Sequence, residues 1–124
     1  MPDIKIKYLD HIALRVKDLE IAANWYEKVL GLKRVQPEEW KPWPIFMVAG
    51  DTGLALFPEK EGQHIAPDHF AFRVDQEGFE AAQQKFRELG INFRIQAHIY
   101  FESIYFQDPD GHTVELTVAT REMG

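Results

Sequence analysis

The segment Asp10-His11-Ile12-Ala13-Leu14-Arg15-Val16 returns later as Asp68-His69-Phe70-Ala71-Phe72-Arg73-Val74, and each copy runs into a helix-like stretch ending in Leu-Gly, at Leu30-Gly31 and Leu89-Gly90. The chain is an internal duplication. Strict alternation sets Ile12, Leu14 and Val16 on one face of a strand and His11, Ala13 and Arg15 on the other, and Phe70, Phe72 and Val74 repeat the apolar face. A histidine thus stands at the same place in both halves, away from the apolar face. Such an arrangement can deliver two imidazoles to related positions of one fold.

Working outward, Asp18 is placed to cap a helix whose apolar stripe is Leu19, Ala22, Ala23, Tyr26, Val29 and Leu30, with Gly31 as the stop. Leu32–Val35 reads as a short strand, 37–44 as a loop, and Ile45–Ala49 and Leu54–Phe57 as strands around the turn Gly50-Asp51-Thr52-Gly53. The second half repeats the order, with one extra residue in its helix and the stripe Phe79, Ala82, Phe86 and Leu89. Strands follow at Phe93–Ala97, Phe101–Gln107 and Thr113–Ala119, the last two joined by Asp108-Pro109-Asp110-Gly111. The expected architecture is α+β: a β-α-β-β-β module over 1–58, a polar linker over 59–66 and a second module over 67–124. In the last strand Val114, Leu116 and Val118 alternate with Thr113, Glu115 and Thr117, so Glu115 lies on the polar face.

Composition narrows the function classes. The 124 residues are 45% hydrophobic, enough for one compact domain or two small units, and a half of this length would be marginal alone. A formal net charge of -6 argues against nucleic acid, whose affinity rests on neutralising phosphates with Lys and Arg. There is no cysteine, which excludes disulfides and thiolate metal sites. No segment approaches the roughly eighteen apolar residues of a membrane span, so no membrane partner is expected and a cytoplasmic location is.

Four pieces, in order and at these spacings, resemble the vicinal oxygen chelate superfamily of glyoxalases, bleomycin-binding proteins and extradiol dioxygenases. They are Leu9-Asp10-His11-Ile12-Ala13-Leu14, the helix Trp25-Tyr26-Glu27-Lys28-Val29-Leu30-Gly31-Leu32, the strand Asp68-His69-Phe70-Ala71-Phe72, and the run from Tyr105 to Leu116 through Asp108-Pro109-Asp110-Gly111. The resemblance implies that the paired modules form a partly open barrel around a metal. It implies ligands at His11, His69 and Glu115, with the family's fourth ligand position falling on Ala55. Two imidazoles and a carboxylate leave open coordination positions and suit Mn, Fe, Ni or Zn. The glyoxalase I proton shuttle is understood to use a glutamate at the fourth position, and Ala55 cannot take a proton; Glu39, Glu102 or Asp10 could substitute only if a loop turned one inward.

The nearest pattern is that of the fosfomycin-inactivating thiol transferases, which share the His, His, Glu set and resemble the chain at Ser103-Ile104-Tyr105-Phe106. By that resemblance Tyr105 and Ser103 are the candidate catalytic residues; they equally fit a surface serine and an ordinary cross-strand tyrosine. The chain departs from that family at Ala13, where a threonine is usual, and lacks clear counterparts of its lysine and arginine that bind the anion. Trp40, Trp43 and Phe46 are candidates for an apolar wall over the substrate, or for a dimer contact. Arg15 and Arg73 share the strand faces of the histidines and could attract an anionic substrate, although solvated arginines fit equally. His98 is a reserve acid or base, His112 is expected to be exposed, and His64 falls in the linker.

The expected function is that of a divalent-metal-dependent lyase or transferase chelating two neighbouring oxygens of a small substrate, with a thiol as possible co-substrate. Alternatives are a fosfomycin-type thiol transferase proper, an extradiol-type dioxygenase needing Fe(II), and a non-catalytic drug-binding protein. A homodimer is expected, in which His11 could join His69 and Glu115 within one chain or across the dimer.

Overall fold

A computed structural model of the chain describes residues 5, 7–60 and 69–120. It divides into two compact units, Met1–His64 and Ile65–Gly124. Residues 61–66 of the expected linker, with His64, lie outside the described residues, as does Asp68 of the repeated motif.

The first unit runs β1 (His11–Val16), α1 (Leu19–Leu30), β2 (Lys33–Val35), a single 3-10 turn (Glu38–Trp40), β3 (Ile45–Ala49) and β4 (Thr52–Pro58). The second runs β5 (Phe70–Arg73), α2 (Gln76–Leu89), β6 (Arg94–Ala97), β7 (Phe101–Gln107) and β8 (Thr113–Ala119). Both are β-α-β-β-β modules, and the fold is α+β. The sheet orders are β1-β4-β3-β2 and β5-β8-β7-β6, with the first pair in each parallel and the others antiparallel. The same topology in both units is what the repeated sequence requires.

The helices begin and end for the same reasons in both units. Asp18 and Asp75 accept hydrogen bonds from the Ile21 and Gly78 backbone N–H groups, and Gly31 and Gly90 close the helices at φ 67 and 70. In that left-handed conformation glycine carries no Cβ penalty. Helix α2 has 14 residues against 12 in α1, two more rather than the single extra residue expected, because its cap stands one residue nearer the repeated histidine while its stop stands one farther from it. Ala22, Ala23, Tyr26 and Val29 of α1 are buried with Leu14, Val16, Ile45, Met47, Leu54 and Leu56. In the second unit Phe79 and Phe86 are buried with Phe70, Ile104, Phe106, Val114, Leu116 and Val118. Each helix thus covers the apolar face of its sheet, and the opposite faces carry the candidate site residues.

Two local expectations are corrected. The turn between β3 and β4 is shorter than Gly50-Asp51-Thr52-Gly53 suggests: Thr52 and Gly53 already pair with Ala49 and Val48. Gly53 is required there because a Cβ would lie 2.6 Å from the Met47 carbonyl oxygen. His112 is fully buried rather than exposed. Asp108 draws it in: one carboxylate oxygen accepts from the backbone N–H groups of Asp110 and His112, and the other lies 2.7 Å from His112 Nδ1.

Candidate metal centre

Strand β8 carries Thr113, Glu115 and Thr117 on the face turned away from α2, and the neighbouring strands set the rest of the site by register. Parallel pairing puts Ala71 opposite Glu115; antiparallel pairing puts Tyr105 opposite Glu115 and Ser103 opposite Thr117. His69 stands just ahead of β5. Its Nε2 lies 3.2 Å from Glu115 Oε1. Two donors held by one ion at about 2.0–2.2 Å, with angles of about 90–110°, stand roughly 2.8–3.6 Å apart. The pair therefore has the separation of adjacent ligands on one cation; without an ion the same spacing serves an imidazole–carboxylate hydrogen bond.

The carboxylate is held from its other side. Ser103 Oγ donates to Glu115 Oε2 at 2.7 Å and lies 3.0 Å from Thr117 Oγ1. A hydroxyl has one proton, so with that proton on the carboxylate Ser103 accepts from the threonine. Glu115 is 8% exposed and Ser103 fully buried. Ser103 in this arrangement orients the carboxylate, whereas Tyr105 is only partly buried. The Tyr105 hydroxyl lies 3.0 Å from His98 Nε2, its ring lies edge-on to His69 at 6.2 Å, and the Arg94 guanidinium sits over it at 4.3 Å.

In the first unit His11 opens β1, and its Nδ1 lies 2.8 Å from Asp10 Oδ1. That contact engages Nδ1; a carboxylate so placed is a usual outer partner of a histidine ligand, which would then coordinate through Nε2. Phe46 packs against His11 at 5.1 Å and Trp40 against Phe46 at 4.8 Å. Trp43 stands edge-on to Phe57 at 5.8 Å. Arg15 lies over the Phe57 ring and donates to the Pro58 carbonyl; Arg73 lies over Phe101.

The pairing also defines the counterpart of Glu115. Ala13 faces Ala55 across β1 and β4 as Ala71 faces Glu115 across β5 and β8. Ala55 is fully buried and offers no donor. Among the described residues no group of three or more His, Asp or Glu side chains gathers to hold an ion. The second unit supplies a closely spaced pair, His69 and Glu115, and the first supplies His11 with its Asp10 support. The imidazole nitrogen and carboxylate oxygen of the His69–Glu115 pair are donor types that suit a divalent transition metal.

Sequence reasoning did not reach Asp10 as a support for His11, Thr117 as a partner of Ser103, or Arg94 beneath Tyr105. Alternation along β8 carried the signal for Thr117, which shares a face with Glu115. Asp10 and Arg94 carried none.

A family model described as Glyoxalase/Bleomycin resistance protein/Dioxygenase superfamily matches residues 8–116. The chain is 30% identical over 120 residues to "Glutathione transferase FosA" of Serratia marcescens, covering 93% of this chain and 83% of that protein. It is 33% identical over 123 residues to "Metallothiol transferase FosB" of Bacillus licheniformis, covering 94% and 78%. Among solved structures, the fosfomycin resistance protein FosX of Mesorhizobium loti matches with TM-score 0.70 at 27% identity, over 94% of this chain and 95% of that one. A lactoylglutathione lyase of Agrobacterium tumefaciens matches with TM-score 0.77 at 23% identity, over 91% and 94%, a likeness of fold.

Proposed function

The chain belongs to the glyoxalase/bleomycin resistance protein/dioxygenase superfamily, and we propose on that footing that it is a divalent-metal-dependent transferase or lyase acting on a small oxygen-rich substrate, with a thiol as co-substrate. The observation that carries the reading is the His69–Glu115 pair at 3.2 Å with Ser103 fastened to the far carboxylate oxygen. His11, His69 and Glu115 are the proposed ligands, with His11 drawn from this chain or from a second copy in a homodimer. Mn, Fe, Ni and Zn all suit that set. When bound, such an ion supplies Lewis acidity toward two neighbouring substrate oxygens.

The chain's own residues do the rest. Asp10 lies against the His11 ring and Ser103 holds the Glu115 carboxylate, so each of these two donors has a partner that orients it. Tyr105, paired with Glu115 on the same rung, presents a hydroxyl to a substrate oxygen, and His98 at its far side can exchange a proton with that hydroxyl. In thiol addition to a strained C–O bond, the C–S bond forms as the C–O bond breaks. The oxygen leaves with the electron pair and is protonated, while the thiol gives its proton to solvent or a base. Trp40, Trp43 and Phe46 provide the apolar wall that limits water, with Arg15 and Arg73 as cationic substrate contacts in the two units. Transfer is favoured over isomerisation because Ala55 has no proton to shuttle, and because relatives at 30% and 33% identity are named as transferases.

The test is metal uptake by dialysed protein offered Mn, Ni or Zn, followed by activity with a thiol plus an epoxide, with methylglyoxal hemithioacetal, and with a catechol under air. The expected result is stoichiometric metal, lost in His69→Ala and Glu115→Gln, and turnover in the thiol-plus-epoxide assay. Protein that takes up no metal, or variants that take it up unchanged, refute the proposal. Catechol cleavage would replace transfer with oxygen chemistry.

A further inference from the structure

Strand β7 sets two hydroxyls on the face that carries Glu115, and they are engaged differently. Ser103 gives its proton to the buried carboxylate. The Tyr105 oxygen instead lies 3.0 Å from His98 Nε2, with the two rings edge to face at 6.3 Å. Register explains the meeting. Arg94 pairs with Tyr105 and Gln96 with Ser103, and the His98 backbone N–H donates to the Phe101 carbonyl, so His98 continues the alternation of β6 on the same face. Arg94 lies across the Tyr105 ring at 4.3 Å and donates to Gln96 Oε1 at 2.8 Å, which fixes the tilt of the phenol. His98 itself is exposed. The imidazole thus stands between the phenol and bulk water.

The His98–Tyr105 contact is made in either tautomer of the ring, and the two tautomers do opposite things. With the ring proton on Nδ1, Nε2 accepts the Tyr105 proton and the phenol oxygen offers lone pairs to a reactant. With it on Nε2, the ring donates, and the phenol proton is free to point at a reactant. Thiol addition needs both states, a base for the S–H group and an acid for the leaving oxygen. Few other groups are available. Ala13 and Ala55 have no proton to exchange, the Ser103 proton is held by Glu115, and His11, His69 and Glu115 are the proposed metal donors.

We propose that Tyr105 and His98 form a two-way proton relay between the reactants and solvent, in which the imidazole changes tautomer between the two halves of a turnover. The identity of the reactants rests on the thiol-transfer reading; the relay itself stands on the His98–Tyr105 contact. In the first half the S–H bond breaks and its proton goes to the Tyr105 oxygen, the original Tyr105 proton passes to His98 Nε2, and Nδ1 releases a proton to water. The C–S bond then forms as the C–O bond breaks. In the second half Tyr105 gives its proton to the departing oxygen, the Nε2 proton returns to Tyr105, and water restores the proton on Nδ1. The net change is addition of the thiol across the C–O bond, with both residues returned to their starting state. His98 acts through Tyr105 and is a positioning residue for its proton.

The first test needs no turnover. Benzenesulfonyl fluoride is added to the whole chain stripped of metal by chelator, and modification of each tyrosine is followed by peptide mass spectrometry. The phenol oxygen attacks sulfur, fluoride leaves, and His98 takes the proton. Tyr8, 52% exposed, is the internal reference. Partly buried Tyr105 should react faster than Tyr8 in wild type and at least about tenfold more slowly in His98→Gln, with Tyr8 unchanged, because glutamine keeps an acceptor beside the phenol but takes no proton. Tyr105 rates within about twofold in the two proteins overturn the relay. The second test is turnover of thiol plus epoxide by metal-loaded protein. His98→Gln should lower kcat on the order of 100-fold with KM held within about threefold. Imidazole added to the buffer should restore part of the rate to His98→Ala and leave wild type unchanged, since free imidazole replaces a proton carrier and not a packing contact. An unchanged kcat, or a loss that imidazole does not relieve, overturns the proposal. If no thiol–epoxide pair turns over while the labelling difference holds, thiol transfer fails as the reaction and the relay stands.

Discussion

Ser103→Ala removes one oxygen atom from a fully buried position, and the structure says what that atom does. It donates at 2.7 Å to Glu115 Oε2 while Oε1 is directed to His69. A hydrogen bond to a charged group contributes about 1.5–3 kcal/mol, and because Glu115 is only 8% exposed, water cannot easily replace the lost donor. The metal-free variant should lose about that much stability, read from urea unfolding with an unchanged slope. Loss of an outer partner of a metal ligand costs about 10–100-fold in affinity, so competition titration with Zn, Mn or Ni should show a shift of that size. Thr117→Val is the control, since it removes the neighbour of Ser103 and leaves the bond to Glu115 in place; its effect on affinity should stay below about threefold. Affinity in Ser103→Ala within twofold of wild type, by the same scale of outer-partner effects, would show that the serine does not orient the carboxylate.

Three further outcomes follow from the packing. Asp108→Ala takes away two backbone contacts and one side-chain contact around the buried His112, and should cost roughly 3 kcal/mol or more by thermal or urea unfolding; a loss under about 1 kcal/mol would contradict the geometry. Gly53→Ala forces a Cβ to within 2.6 Å of the Met47 carbonyl oxygen and should destabilise by about 1–3 kcal/mol. It should also weaken metal uptake, because Gly53 pairs with His11. Asp18→Ala and Asp75→Ala should each cost about 1 kcal/mol, and their double mutant should show the sum, since the two caps share no hydrogen-bond partner.

Alternation and punctuation made much of this fold legible before any coordinates. Ile45–Ala49, Phe101–Gln107 and Thr113–Ala119 were expected as strands and are β3, β7 and β8, because each alternates and is bounded by turn residues that act locally. Asp18 and Gly31 bracket α1 for an equally local reason: a side chain satisfies an orphan N–H at one end and a left-handed residue stops the other. The duplication itself follows from residue identities alone, and with it the matching order of both sheets.

Neighbours across strands are another matter. Alternation tells which face Ser103, Tyr105, Glu115 and Thr117 share, but not that Ser103 reaches Glu115 while Tyr105 turns to His98 and Arg94; that depends on pairing register and rotamers set by packing. The burial of His112 likewise required Asp108 to fold back through its turn, and Gly53 shows its necessity only once β3 lies against β4. Periodicity is a property of one strand, whereas a site is a property of several strands in register, which the tertiary fold alone decides.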